Sequence, residues 1–400
     1  MFWYWFFAAP ALLLAFLSLR GERKRAAYVD RRLSETPDSF PPASVIVPVK
    51  GPDPGLRENL AALASLDYPD YELLICAHCA ADIPPGVLPH RARIVLANGG
   101  DPGTGEKVQN LLAALRAVRK RSQILAFADS DGRPGRRWLR ALTAPLGEEA
   151  VGAVTGFRWF TPVPPGFWSL VRSVWDAVST GLLGPGDNPF AWGGAMAVRK
   201  ETFFESRVNE YWKGAVSDDY MLSAAIHAAG LQIAYAPGAL TPCFDGTTAA
   251  AFFAWARRQL TITRVYRPEL WWKALIAHIF YCGGMAASAA ASIAGNRLAE
   301  WALIAQLSPG MLKGLNRAIL ARAALNEQDA WFRRHSWVHA LWTPLVTWVW
   351  LATLVSSAFG NTIRWRGNVY HLHSSARESA AECRAPAPQA ENHQPPPQEP

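Results

Sequence analysis

The sequence is poor in charged residues and in cysteine. Only 18% of its 400 residues are Asp, Glu, Lys or Arg, against roughly 25% in soluble domains, which argues against an ordinary soluble enzyme. Five cysteines, an odd number in so long a chain, do not make a disulfide framework. The phosphate-binding patterns GxxxxGK[ST] and GxGxxG are both absent, which argues against a kinase or a dehydrogenase.

Apolar and aromatic residues are abundant instead. They include 18 tryptophans, and half of the chain is hydrophobic. Tryptophan collects at membrane interfaces, and the net charge of +8 suits an anionic leaflet or a nucleic acid. The basic residues gather around apolar segments and no nucleic-acid recognition module is visible, so we expect a membrane protein without a nucleic-acid partner.

The N-terminal segment predicts a membrane anchor. Residues 2–19 carry no charge. The length of this uncharged run is about that needed to cross a hydrocarbon core of roughly 30 Å. A cleaved signal peptide, the alternative, has its positive charge before the apolar run. Residues 1–20 are therefore expected to be an uncleaved anchor, residues 21–43 a basic juxtamembrane linker, and the domain that follows cytoplasmic. The basic residues that follow the run are Arg20, Arg23, Lys24, Arg25, Arg31 and Arg32.

A second apolar region, residues 271–360, predicts two or three spanning helices. Residues 272–294 and 337–359 are strong candidates, whereas charges and a proline interrupt residues 298–320. The alternatives for this weaker segment, crossing the bilayer or lying at its surface, stay open, and so does the side of the C-terminus. Residues 361–400 are expected to be a tail that is disordered beyond about residue 375, because that part is rich in Pro, Glu and Gln.

A soluble α/β domain is predicted between these apolar regions, over residues 44–248. Short β-branched or apolar runs alternate with segments of helical periodicity, which indicates a mostly parallel sheet with helices on both faces. Ligands bind such sheets at the carboxyl ends of the strands. The predicted strands are 44–49, 71–76, 93–97 and 123–128, and the first helices are 55–66 and 106–121.

Asp129 and Asp131 follow the fourth predicted strand directly, as Asp-Ser-Asp. Two carboxylates at a strand end can bind Mg²⁺ or Mn²⁺ together with the phosphates of a substrate. An Asp-rich turn is the alternative explanation, because turns favour Asp. The spacing alone leaves both open.

Three further segments carry candidate site residues. Ser217 and Asp218 suit a helix N-cap, while Asp219 could act as a general base. Gly193-Gly194 permits close approach of the backbone to a ligand, or forms a tight turn. Residues 249–270 are basic on one side and aromatic on the other, which indicates an interfacial helix with one or two arginines free to face a diphosphate.

Taken in order, these segments resemble family 2-type inverting glycosyltransferases, and more closely the ceramide glucosyltransferase branch (family 21) and its bacterial relatives. The resemblance covers roughly residues 1–372. It is carried by VIVPVKGPDP (45–54), LDYPDYE (66–72), KVQNL (107–111), Asp129–Asp131, GGAMAVRK (193–200), Ser217–Tyr220 and IRWRGNVY (363–370).

The resemblance implies a GT-A type nucleotide-diphosphosugar transferase domain flanked by transmembrane helices, with its catalytic domain on the cytoplasmic side of a bacterial-type inner membrane. It implies a UDP-sugar donor (glucose favoured), a lipid hydroxyl acceptor such as ceramide, and Mg²⁺ or Mn²⁺ at Asp129 and Asp131. Asp219 would deprotonate the acceptor. By position, the donor-binding residues would be Pro48, Lys50, Asp82, Lys107, Asp129, Asp131, Trp255 and Arg258, and the acceptor-side residues Gly193, Gly194 and Asp218.

Two stretches depart from the family pattern. Where the family has an acidic cluster after the second strand, CAHCAAD (76–82) keeps only Asp82. Where it has Q/R-x-x-R-W, AFFAW (251–255) keeps only Trp255. Two alternatives therefore stay open: a catalytically inactive membrane scaffold or lipid-binding protein, and a processive polysaccharide synthase. If the chain is active, other polar residues just downstream could take the place of the lost arginine, namely Arg257, Arg258, Gln259 or Arg264.

Overall fold

The computed structural model describes residues 3–35, 39–101 and 103–373. The predicted disorder beyond residue 375 lies outside these ranges. The strands are β1 Ala43–Pro48, β2 Tyr71–Ala77, β3 Ala92–Leu96, β4 Ile124–Ala128, β5 Val151–Phe160, β6 Ala195–Arg199, β7 Gln232–Cys243, β8 Thr362–Trp365 and β9 Asn368–His371. The helices are α1 Trp5–Ser34, α2 Leu56–Ala64, α3 Glu106–Ala117, α4 Trp138–Thr143, α5 Phe167–Ala177, α6 Lys200–Glu205, α7 Val208–Tyr211, α8 Asp218–Ala228, α9 Ala249–Tyr266, α10 Pro268–Ile293, α11 Arg297–Ala324 and α12 Asp329–Ser357.

Seven strands form one sheet in the order β3-β2-β1-β4-β6-β5-β7. All neighbours are parallel except β6, which runs antiparallel to both β4 and β5. In the centre, Ile46 of β1 lies opposite Leu74 of β2 on one side and Phe127 of β4 on the other. These strands are continuous apolar runs because helices cover both faces of the sheet. The predicted strands and the mostly parallel sheet are confirmed.

Two strands of this sheet, β5 and β7, carry a sequence pattern that does not predict a strand. β7 contains Pro237 and Pro242, and proline normally interrupts a strand because it lacks the N–H. The sheet tolerates both prolines because β7 is an edge strand. β5 contains Gly152 and Gly156, and its register against β7 shifts at both places, as expected for bulges.

The sheet has a hydrophobic core on each face. On one face, Val108 of α3 and Leu222 of α8 are fully buried. On the other, Leu60 of α2 and Trp138 of α4 are buried against the same strands. Since the helices lie on the two faces, the carboxyl ends of β1 and β4 stay free of them, and the polar loops gather there.

Three segments within the described residues are long and apolar enough to cross a membrane: α1, α10 and Asn326–Ser357, which contains α12. The two strong C-terminal candidates from the sequence are therefore confirmed as such, whereas α11, the weaker one, does not qualify. Helix α1 continues to Ser34, so much of the predicted basic linker is part of the same helix. The predicted domain boundaries and the interfacial position of residues 249–270 stay predictions.

A buried ion cluster joins α1 to α11 just beyond the uncharged part of α1. The Arg317 Nε donates to Glu22 Oε1 at 2.7 Å, and Asn316 donates to the other oxygen of Glu22 at 3.0 Å. Next to it, the Arg25 Nε donates to the carbonyl of Leu183 at 3.0 Å. The carboxylate can be buried because each of its oxygens has a donor. The cluster thereby ties the loop after α5 to α1 and α11.

Candidate active site

A cavity of about 450 Å³ lies at the carboxyl ends of β1 and β4. It lies between the sheet, α5, α8, α9, the first turns of α10, part of α12, and the β8–β9 hairpin. The sequence-predicted residues that line it are Pro48, Lys50, Lys107, Asp129, Asp131, Asp218, Asp219, Trp255 and Arg258. The topology therefore brings together nine of the residues that the sequence singles out.

Asp129 and Asp131 extend from the end of β4, and their environments differ. The Asp129 Oδ1 lies 2.8 Å from the Nζ of Lys107. Asp131 is exposed to the cavity and has no hydrogen bond or ion pair with the residues that the structure describes. The protein packed around this narrow space and the charge of Asp129 raise the pKa of Asp131 to about 6, although Arg158 opposes the shift. Asp131 is thus a carboxylate available to a cation.

The N-terminus of α8 supplies the second pair of carboxylates. The Ser217 hydroxyl accepts from the backbone N–H of Tyr220 at 3.3 Å and caps the helix, as the sequence predicts. Asp218 is buried, and its Oδ2 lies 3.1 Å from the Nζ of Lys107. The Asp219 Oδ2 accepts from the Gly193 N–H at 3.4 Å, while its Oδ1 accepts from the Tyr220 N–H at 2.8 Å and from the Ser217 hydroxyl. Asp219 is therefore held at the cavity wall in one orientation.

Lys107 binds the two carboxylate pairs together. Burial alone would lower the pKa of its ammonium, but Asp129, Asp218 and Asp219 hold the pKa above its ordinary value. The lysine is therefore charged, and it offsets two of the negative charges that would otherwise repel each other. Its ion pairs with Asp129 and Asp218 hold these two carboxylates in position.

The donor set fits a divalent cation that is shared with a substrate. Among the described residues, no group of three or more His, Cys, Asp or Glu side chains is arranged to hold a metal. Mg²⁺ or Mn²⁺ bound by one or two carboxylates takes its other ligands from phosphates and water. Asp131, with Asp129 beside it, supplies such a partial set, and the negative charge of Asp53 and Asp245 adds to it.

Several arginines also line the cavity, and some of them are paired with carboxylates. Arg158 pairs with Asp176 at 3.2 Å and Arg172 with Asp245 at 2.8 Å. Arg258 has no ion pair or hydrogen bond within the described part of the chain, and its guanidinium lies 5.5 Å from the ring centre of Trp365. Burial, and then the charges of Arg158 and Arg366, lower the pKa of Arg258 to about 10.

An anion bound beside Arg258 would relieve this repulsion between cations. Of the other side chains that the sequence offers in place of the lost arginine, Gln259 lines the cavity. Arg257 and Arg264 instead donate to carbonyl groups of residues 357–360, which directly precede the hairpin in the chain.

The β8–β9 hairpin covers one side of the cavity. The Arg366 Nη2 donates to the Asp53 Oδ1 at 2.5 Å and its Nη1 to the carbonyl of Lys50 at 3.1 Å. The Tyr370 hydroxyl accepts from the backbone N–H of Glu106 at 3.3 Å. These hairpin residues belong to IRWRGNVY, one of the stretches that match the family. The sequence pattern alone does not predict that this stretch folds back over the cavity.

Three predicted residues lie outside the lining. Asp82 accepts from the backbone N–H of Cys79 at 3.2 Å and caps its own turn, so the structure does not bring its carboxylate into the cavity. Gly193 and Gly194 lie just behind the lining. A Cβ on Gly194 would come within 2.8 Å of Asp129 and closer still to the ring of Trp192. Glycine is therefore required there by close packing.

Several lining residues were not found from the sequence. Arg158 and Asp245 come from or follow the two strands that the sequence does not predict, and Asp176 and Trp175 come from α5, which carries no motif. Only the pairing of β5 with β7 and the packing of α5 bring them to the carboxylates.

The model of glycosyl transferase family 21 matches residues 3–378, so the chain belongs to glycosyl transferase family 21. The predicted fold class, an α/β GT-A domain joined to helices that could cross a membrane, is confirmed by this match together with the sheet and the apolar helices.

Among curated proteins, ceramide glucosyltransferase 1 of Caenorhabditis elegans is 23% identical over 247 residues, which cover 59% of this chain and 53% of that protein. The chain thus spans about half the length of this relative.

Two solved glycosyltransferase structures match this chain at low similarity. The mannosyltransferase PcManGT from Pyrobaculum calidifontis, solved with GDP-Man and Mn²⁺, is 19% identical with a TM-score of 0.44, over 88% of this chain and 97% of that chain. Glucosyl-3-phosphoglycerate synthase from Mycobacterium tuberculosis, solved with Mn²⁺, UDP and glucosyl-3-phosphoglycerate, is 16% identical with a TM-score of 0.39, over 60% of this chain and 83% of that chain. The assignment to family 21 rests on the family match.

Proposed function

We propose that this protein transfers a hexose, with glucose favoured, from a UDP-sugar to the hydroxyl of a membrane lipid such as ceramide, with inversion at the anomeric carbon. One observation carries the proposal: Asp129, Asp131 and Asp219 line a single cavity that extends to two of the helices able to cross a membrane. The name of the curated relative, a ceramide glucosyltransferase, supports the lipid acceptor.

The residues that line the cavity suit the two parts of the donor, the uridine and the diphosphate. Pro48 and Lys50, at the end of β1, would lie beside the uridine. Asp131, with Asp129, would hold Mg²⁺ or Mn²⁺, which when bound neutralises charge on the diphosphate leaving group. Arg258 lines the same cavity, has no ion pair or hydrogen bond with the residues that the structure describes, and would bind the diphosphate.

In this proposal Asp219 acts as the base. Its two oxygens accept hydrogen bonds from the Gly193 and Tyr220 N–H groups and from Ser217, which fix the orientation of the carboxylate. A carboxylate oriented in this way can accept the proton of an acceptor hydroxyl as the hydroxyl oxygen attacks the sugar. Asp218 is committed to Lys107 and therefore has a supporting role.

The proposed setting is an integral membrane protein with its catalytic domain in the cytoplasm, in the manner of a bacterial inner membrane protein. The supporting observations are the three apolar helices and the six basic residues that follow the uncharged N-terminal run. Positive charge beside a spanning helix favours the cytoplasmic side.

The test uses the purified full chain with Mn²⁺, a panel of UDP-sugars and a lipid extract, and measures release of UDP. We expect lipid-dependent release from one UDP-sugar, and its loss in Asp131→Ala and Asp219→Asn. Asp30→Asn, a change at an exposed position of α1, is the matched control and should retain activity. Equal release from the wild type and both cavity variants would contradict the proposal.

A further inference from the structure

The cavity has a second part that the carboxylates do not explain. Four tryptophans surround it, and we call it the aromatic lobe: Trp175 from α5, Trp255 from α9, Trp271 from α10 and Trp350 from α12. Trp175 and Trp350 stack with their ring centres 4.1 Å apart and their planes at 8°. The lobe therefore lies between the catalytic domain and two of the helices that could cross a membrane.

Ring carbon atoms of the four tryptophans line the lobe; Trp255 is half-buried and the other three are buried. The Trp271 N–H donates to the Ser357 hydroxyl at 2.9 Å, the Trp350 N–H to the carbonyl of Trp175 at 2.9 Å, and the Trp175 N–H to the Thr353 hydroxyl at 3.3 Å. Because these three donors are used within the protein, the surface that these rings leave to the cavity is apolar. A sugar chain would lose hydrogen bonds with water there without replacing them, whereas methylene groups would gain from burial.

One side of the cavity lies close to the basic part of α1. Leu182, in the 3₁₀ turn Val178–Leu182 after α5, lines the cavity and is 52% exposed. The next residue, Leu183, is bound through its carbonyl to Arg25 of α1. Arg25 belongs to the basic group that directly follows the uncharged run, the position where a spanning helix leaves the bilayer.

A polar junction separates the lobe from the carboxylates. The ion pair of Arg158 and Asp176 lies there, with the Arg158 guanidinium 5.0 Å from the ring centre of Trp255. Both charges line the same cavity as Asp131 and Asp219. A molecule that occupied the lobe with an apolar chain would therefore present its polar end to the charged residues.

We propose that the aromatic lobe is the acceptor subsite: it takes part of the apolar chain of the lipid acceptor, which leaves past Leu182 towards the membrane, while the hydroxyl of the lipid ends beside Asp219. This inference rests on the proposed function and adds to it the residues that bind the apolar part of the acceptor. It also argues against a growing polysaccharide as the occupant.

The first test fills the lobe from α10. Ala274→Phe adds a ring at a position that lines the cavity, and Ala286→Phe adds the same ring at an exposed position of the same helix. With the full-length protein, we expect Ala274→Phe to raise the KM for the lipid acceptor by about tenfold or more, while the Kd for the UDP-sugar stays within about twofold. Ala286→Phe should match the wild type. If both variants match the wild type, the subsite is wrong.

A second measurement uses the wild type and does not depend on activity. A decanol derivative with a diazirine on its chain is photolysed with the protein, and the labelled residues are found by peptide sequencing in a mass spectrometer. We expect labels within residues 171–182 and on Trp271 or Ala274, reduced by excess decanol. Labels confined to the outward side chains Trp272 and Ile276, both exposed, would overturn the inference.

The two proposals can fail separately. If the wild type binds or hydrolyses no UDP-sugar, the proposed function fails, whatever the labelling shows. If the wild type uses the donor normally but the lobe is neither labelled nor blocked by Ala274→Phe, the acceptor subsite alone fails.

Discussion

Replacing Lys107 by methionine should destabilise the protein strongly, because it leaves a buried carboxylate without its partner. The Asp218 side chain is 4% exposed, and within the described residues its ion-pair partner is the ammonium 3.1 Å away. An uncompensated buried charge of this kind costs about 3–5 kcal/mol. The Asp129 side chain is 25% exposed, so its loss of the same lysine adds at most about 1 kcal/mol. For a domain of about 150–250 residues, 3–5 kcal/mol lowers Tm by about 6–20 °C.

The assay is thermal unfolding of the full-length protein in detergent, followed by tryptophan fluorescence. Asp218→Asn alone should lower Tm little, because Lys107 keeps Asp129. The double variant Lys107→Met with Asp218→Asn should recover most of the loss, because it removes both charges. The deficit of Lys107→Met should also shrink as the pH falls, since protonation of Asp218 removes the unpaired charge. If the single and double variants lose the same Tm, or Lys107→Met loses less than about 2 °C, the reasoning is refuted.

Three further predictions concern the cavity. Asp219→Asn should lower kcat by about 10²- to 10⁴-fold with little change in the Kd for the UDP-sugar, and an unchanged kcat would exclude this residue as the base. Chelation of divalent cations should weaken UDP-sugar binding, and Asp131→Asn should raise the Mn²⁺ concentration needed for half-maximal binding by about tenfold; equal Mn²⁺ titrations would argue against a cation at Asp131. Arg366→Gln and Asp53→Asn should both raise the KM for the UDP-sugar and leave that for the lipid unchanged, because each removes the contact that holds the hairpin at the donor end; opposite effects of the two would contradict a shared role.

The local pattern of the sequence is enough to predict the centre of the fold. β1 and β4 are continuous apolar runs because both of their faces are buried, and Asp129 follows β4 directly. β7 could not be predicted from the local sequence, because Pro237 and Pro242 normally interrupt a strand and are tolerated only at a sheet edge. Which strand forms the edge is decided by the whole topology, which no local window contains.

The candidate site, like the fold, could be predicted only in part. The carboxylates could be predicted because each belongs to a short motif, although more than eighty residues separate Asp131 from Asp219. Arg158 and Asp176 lie on a strand and a helix without motifs, and their ion pair forms only when β5 and α5 pack together. The ion pairs of Lys107 likewise could not be predicted, because its partners follow the carboxyl end of β4 and begin α8.

The most direct test of the central claim is the transfer of label from a radiolabelled UDP-hexose into an organic-soluble lipid by the purified full-length protein with Mn²⁺. The account predicts a labelled lipid from wild-type protein, with the sugar configuration inverted relative to the donor, and no labelled lipid from Asp131→Asn or Asp219→Asn. Label that stays in water with every donor, or equal lipid labelling by the wild type and both variants, would contradict it.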